Sequence, residues 1–185
     1  MAKVLVPLAN GFEDIEAVSV VDILRRGGVE VVTASIHSTR DVRSAHGLTM
    51  RADALFADAK DADYDAIVLP GGGEGTENLK TSVSLVHRLR RQHDENRLLC
   101  AICAAPTVLA SAGVLDSGVH VTCYPSCQMG LDREWSPAPV VADGTVITGQ
   151  APGSAMLFAL VVLQALTSEA TARKVARGLV TDVFG

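Results

Sequence analysis

Leu98-Leu99-Cys100-Ala101-Ile102-Cys103-Ala104-Ala105-Pro106 is an apolar run that ends on a thiol and passes directly into helix-forming residues. The stretch Leu98–Ile102 is apolar along its whole length, so it reads as a strand covered on both faces. Ala104 to Ala112, with Pro106 near its start, reads as the helix that follows. A strand that turns sharply into a helix leaves its turn residue, Cys103, at the carboxyl edge of the sheet. The unpaired N–H groups of a helix start are expected to favour a thiolate there, and the thiolate is the nucleophilic form. Cys103 is therefore the foremost candidate for chemistry.

Working outward, the same alternation repeats. Val4–Leu8, Glu30–Ala34 and Ala66–Leu69 read as strands, with shorter ones at Val119–Thr122 and Thr145–Thr148. Glu13–Arg26, Ser82–His93, Ser154–Leu166 and Glu169–Leu179 read as helices, the first ended by Gly27-Gly28. His37–Met50 is polar and contains glycine, which predicts a small hairpin excursion. Apolar strands alternating with helices predict a mostly parallel sheet in a three-layer α/β sandwich. No linker, repeat or low-complexity run interrupts the 185 residues, so one domain is expected over 1–185.

Such sheets carry their sites at the carboxyl ends of the strands. After the first strand comes Asn10-Gly11-Phe12-Glu13-Asp14-Ile15-Glu16. Glu13 and Asp14 read as acids favoured by a helix N-terminus. Ile15 and Val18 mark a buried stripe, which places Glu16 at its margin; its role depends on whether it reaches Cys103. After the third strand, Pro70-Gly71-Gly72-Gly73 is either a nest of N–H groups for an oxyanion or a plain flexible turn. Gly149 to Ser154, with Pro152 inside, is either another loop of the same rim or a helix-start turn.

Cys100 falls inside its strand, so a Cys-x-x-Cys redox pair with Cys103 is not expected. Cys123 and Cys127 lack further ligands at metal-binding spacing and read as free thiols, Cys127 open to oxidation. His87, His93 and His120 read as structural or solvated. His46, in Ser44-Ala45-His46-Gly47, remains a candidate. Trp135 reads as a packing anchor.

Composition excludes several function classes. A formal charge of −5 offers no basic footprint for nucleic acid or an anionic membrane. The longest apolar segment, Ala155–Leu166, is too short to span a bilayer and contains Gln164. Four cysteines in this length suggest no disulfide scaffold, and the N-terminal apolar stretch is too short for a signal peptide, so a reducing cytoplasm is expected.

Gly11 to Val18, Val21 to Gly28, Tyr64 to Gly72, Ala101 to Pro106 and Pro152-Gly153-Ser154 together resemble the ThiJ/PfpI superfamily, in its DJ-1-like branch. The resemblance runs nearly end to end. It implies a flavodoxin-like sandwich, a homodimer, and no cofactor or metal. It makes Cys103 the reactive cysteine and Glu16 its carboxylic partner, with N–H groups of Gly72 and Ala104 facing an oxyanion. Tyr124, His46 and Pro152 become pocket residues. Two departures from the family stand out: Tyr124-Pro125 replaces a His-Pro pair, and His46 stands where the branch has an Arg reaching toward the dimer partner's site. Ala104 replaces the His that peptidase members carry after the nucleophile, which argues against proteolysis. The implied activity is glutathione-independent conversion of a 2-oxoaldehyde such as methylglyoxal to a 2-hydroxy acid, or deglycation of its early adducts, protecting against carbonyl and oxidative stress. The alternative it implies is a redox-sensing chaperone whose Cys103 is oxidised by peroxide, with client proteins as partners.

Overall fold

Apolar side chains on both faces of the central strands set the architecture. The computed structural model describes residues 1–131 and 133–182. Its strands are β1 (Lys3–Leu8), β2 (Glu30–Ser35), β3 (Asp41–Arg43), β4 (Thr49–Arg51), β5 (Ala54–Leu55), β6 (Ala66–Leu69), β7 (Leu98–Ile102), β8 (His120–Val121), β9 (Glu134–Trp135), β10 (Val140–Asp143) and β11 (Val146–Gly149). Its helices are α1 (Asp14–Arg26), α2 (Phe56–Ala59), α3 (Gly73–Thr81), α4 (Val83–Asp94), α5 (Pro106–Ala112), α6 (Ala155–Leu166) and α7 (Glu169–Gly178).

Seven strands form one sheet in the order β10-β11-β7-β6-β1-β2-β5. All pairings in it are parallel except β10 with β11. The inner order β2-β1-β6-β7-β11 is that of a flavodoxin-like, doubly wound sheet. Winding reverses between β1 and β6, so the loops leaving those strands diverge and open a crevice at their carboxyl ends.

Val4, Val6, Leu8, Val68, Cys100 and Ile102 enter the core shared with α1 and α6. Leu5, Ile67, Leu69, Leu99 and Ala101 enter the core shared with α3, α4 and α5. Each strand thus alternates with period two between two dry layers, and its sequence shows an unbroken apolar run. Each fully buried Leu or Ile contributes roughly 1.5–3 kcal/mol. The scaffold under the crevice is therefore stiff. No helix among the described residues is long and apolar enough to cross a membrane.

Three sequence expectations need correction. Ile15 and Val18 are 55% and 52% exposed, while Glu16 is fully buried. The face of α1 against the sheet is instead Glu16, Ala17, Val20, Val21, Ile23 and Leu24. An ionisable residue occupies a core position there, which an apolar-periodicity count cannot register. Gly73 opens a helix, α3, that low apolar content concealed. Finally, β10 is a strand: Asp143-Gly144 sits between two apolar-rich runs and makes a hairpin with Gly144 at φ +58°. The His37–Met50 excursion contains β3 and reaches into β4, which pair as an antiparallel hairpin.

Candidate active site

The loops after β1 and β6 interlock before any side chain enters. Glu13 N–H donates to Gly71 O at 3.0 Å and Gly75 N–H to Gly11 O at 3.2 Å. Gly72 has φ +96°, and a Cβ there would stand 2.1 Å from Gly11 O and 2.8 Å from Glu13 N. Both obstacles are backbone, so neither can rotate away. Gly72→Ala is therefore expected to destabilise the fold by more than about 2 kcal/mol, combining backbone strain with displacement of the loop. Urea unfolding measures it.

That interlock aims Glu16 inward. Glu13 caps α1, its Oε2 accepting the Glu16 N–H at 2.8 Å. Three residues later, Glu16 turns its carboxyl under the β6 loop, where Oε2 accepts the Gly71 N–H at 2.7 Å. Oε1 is likewise buried. Gly71 is a spacer between acid and thiol: a Cβ on it would lie 2.8 Å from Glu16 Oε2 and 2.9 Å from Cys103 Cβ.

Cys103 has φ +64°, a conformation non-glycine residues rarely hold. Such strain costs on the order of 1–3 kcal/mol and persists only where surroundings enforce it. They do so here. Cys103 N–H donates to Gly149 O at 2.9 Å, Cys103 O accepts from Tyr124 N–H at 2.8 Å, and Ala105 N–H closes the turn onto Ile102 O at 3.0 Å. The side chain is 8% exposed and meets the Glu16 carboxyl, and the N–H groups of Ala104 and Gly72 are directed at its sulfur. The helix itself begins later than the sequence suggested, at Pro106.

The electrostatics also differ from the expectation of a thiolate favoured by a helix start. Burial, then the Glu16 charge and hydrogen bond, pushes the Cys103 thiol up to about 12; the two N–H groups pull the other way without offsetting this. Burial pushes Glu16 up to about 7, against the pull of the Gly71 N–H and the Cys103 thiol. The pair therefore carries no more than one negative charge across the neutral range and titrates as a unit.

The remaining candidates divide. Tyr124 joins the site through its backbone bond to Cys103, while the residue is 45% exposed. Pro152 lies in the loop that follows Gly149, the residue that anchors the Cys103 N–H. His46 is turned to Asp14 instead: its Nδ1 lies 2.8 Å from Asp14 Oδ2, while Ser44 Oγ donates to Asp14 Oδ1 at 2.5 Å. Burial alone would raise the Asp14 carboxyl, but these hydrogen bonds hold it below its ordinary range. Cys100 is fully buried, with its thiol raised by burial, and Cys123 is likewise buried and raised to about 11. Sequence reasoning placed Glu13 at the start of α1, as found, but missed the spacing role of Gly71. The pairing of a glycine run with an acid-rich helix start was the available signal.

Comparison with known proteins agrees with this fold. The DJ-1/PfpI family model matches residues 2–165. The DJ-1 homologs B and A of Arabidopsis thaliana are 36% and 37% identical over 96% and 93% of this chain, which spans only 41% and 45% of their length. A protein of Pyrococcus abyssi named a deglycase is 32% identical, over 82% of this chain and 91% of that one. The solved structure of oxidized Toxoplasma gondii DJ-1 superposes with a TM-score of 0.95 at 36% identity, covering 98% of this chain and all of that one. With a family model over most of the chain and a Pyrococcus relative matched almost throughout its length, the chain belongs to the DJ-1/PfpI family.

Proposed function

We propose that the chain is a cysteine-dependent glyoxalase, converting a 2-oxoaldehyde to a 2-hydroxy acid without glutathione, with deglycation of early aldehyde adducts as the related activity. The observation that carries the proposal is the buried Glu16 carboxyl held against a strained, N–H-flanked Cys103. One proton and one negative charge are shared between them. In the reactive arrangement Glu16 is neutral and donates to the sulfur, whose charge also receives the Gly72 and Ala104 N–H groups. The thiolate adds to the aldehyde carbon, giving a hemithioacetal whose oxygen takes over those N–H donors. Glu16 gives its proton to that oxygen as the carbon–sulfur bond forms and, now ionised, removes the proton from that carbon and returns it to the neighbouring carbonyl carbon, while the hydroxyl proton passes to the neighbouring carbonyl oxygen. The first carbon is oxidised to a thioester and the second reduced to an alcohol, so no external oxidant enters. Water then releases the 2-hydroxy acid and restores the thiol. Tyr124, bonded through its backbone to Cys103, brings a hydroxyl in place of an imidazole. The deglycase name of the Pyrococcus relative supports the same chemical class.

Methylglyoxal with the purified protein, free of glutathione, is expected to yield lactate in proportion to aldehyde lost. Aldehyde loss without lactate would leave only adduct formation on surface residues and would reject the reading. The oxidized Toxoplasma relative favours a second reading, peroxide sensing at Cys103; a protein that makes no lactate yet loses its thiol to stoichiometric peroxide would point there. We further propose a homodimer in the cytoplasm. Ile15, Val18 and Leu48 are exposed apolar residues flanking Asp14 and His46, a surface a second copy would cover, and four free thiols suit a reducing compartment.

A further inference from the structure

Arg88 on α4 is only 4% exposed, and no carboxylate among the described residues lies within ion-pair distance of it. Its Nε and Nη1 are buried without an acceptor, and Nη2 reaches only Ala62 O, at 3.4 Å. The guanidinium lies 5.8 Å from the centroid of the Tyr64 ring. That contact serves the face of the cation and leaves its edge donors unmet. The nearby acids are committed elsewhere: Asp63 and Glu95 pair with Arg91 at 2.9 and 2.8 Å. A buried guanidinium with orphan donors is costly, and such groups in folded proteins ordinarily have a partner.

Arg88 lines a cavity of about 180 Å³ together with Lys60, Asp61, Ser84, His87 and Arg91. Ser84, Arg88 and Arg91 recur at the spacing of one helix face. Lys60 caps the end of α2 across the cavity, and its ion-pair partner among the described residues is Asp61, at 3.7 Å. Arg88 and Lys60 thus face one carboxylate, Asp61, while Arg91 beside them is held by Asp63 and Glu95. The segment after α2 and the end of α4 lead into the amino ends of β6 and β7, so this cavity lies at the edge of the sheet opposite Cys103.

We infer that this cavity is a binding site for a small oxyanion of the phosphate class, held by the edge donors of Arg88, the charge of Lys60 and the hydroxyl of Ser84. The fork of a guanidinium fits two oxygens of one phosphate. The volume is below the roughly 300 Å³ at which drug-sized sites begin, which selects inorganic phosphate or a short phosphate monoester over a nucleotide. Both orphan nitrogens are shielded from solvent in this conformation, so uptake turns the guanidinium toward the cavity it lines.

Titration of the full chain with inorganic phosphate at constant ionic strength tests this, read by thermal unfolding and by the arginine Nε–H resonances. A saturable rise in Tm that chloride does not reproduce is expected, with one buried arginine resonance moving. Arg88→Met should weaken binding at least about tenfold, the loss of one charge-assisted contact. Because the deleted charge is unpaired, this variant should fold. Should it not, Lys60→Met, near the surface, is expected to weaken binding about threefold or more. Glycerol phosphate in a parallel titration separates a monoester site from one for the free ion. Absence of phosphate-specific saturation in the wild type, or unchanged midpoints in the variants that fold, would overturn the inference.

Discussion

Cys103→Ser is expected to lower kcat/KM for lactate formation by at least about 10³-fold, since the nucleophile and its base act as a unit. A serine hydroxyl at this position would have to surrender its proton beside a buried carboxyl, where even a thiol is pushed up to about 12. An alkoxide there is out of reach at neutral pH. The substitution should leave the fold intact. The backbone bonds that enforce φ +64° come from Gly149, Tyr124 and Ile102, not from the sulfur. A serine hydroxyl can also donate to the Glu16 carboxyl. Unfolding midpoints of the two proteins should therefore agree closely while activity collapses. Retained turnover would assign the chemistry to another group, and Cys127, the remaining thiol that is not fully buried, would be examined next.

Much of this site was legible because strand ends are legible. A run such as Leu98–Ile102 can only be a strand between two helix layers, and the residue that ends it is placed by the fold. Cys103 and the Gly71-Gly72 segment could be located that way. Glu16 was located by its loop, but its burial was not. The apolar pattern of α1 counted Ile15 and Val18 as core and Glu16 as margin, whereas the helix is rotated so that the acid faces the sheet. Periodicity scores hydrophobicity and so cannot find a buried charge. The shape of the Cys103 environment was illegible for a related reason. Proximity to a helix start argues for a thiolate, but the opposing effects are burial and a second acid some 87 positions away, and both exist only after folding. Helix α3 was invisible because its sequence, rich in glycine and polar residues, buries only Gly75, Thr76 and Leu79. Asp143-Gly144, in contrast, was a readable hairpin signal that the apolar strand count passed over.

Glu16→Gln should separate the shared-proton account from a merely structural role for Glu16. In the wild type the pair loses its first proton near pH 7, the value to which Glu16 is raised, so alkylation of Cys103 and kcat/KM should both rise through that region. The amide keeps the acceptor for the Gly71 N–H but cannot hold or move the proton. The limb near pH 7 should vanish, alkylation should rise only in the alkaline range, and turnover should fall about 10²- to 10⁴-fold, the usual contribution of a positioned general acid–base. Stability supplies an independent readout. The folded-state value of Glu16 lies above its unfolded value of 4.5, so the folded state binds the proton more tightly. Wild-type stability is therefore greatest below pH 4.5 as far as this group is concerned, and it declines as pH rises through about 7. The full decline is on the order of 3 kcal/mol. In Glu16→Gln that decline should be absent, so the variant should gain on the wild type between pH 5 and pH 8 while losing its activity. A variant whose alkylation profile superimposes on the wild type would show that Glu16 is not the partner of Cys103. One that lost stability equally at both pH values would show a carboxyl that supports the loop without sharing a proton.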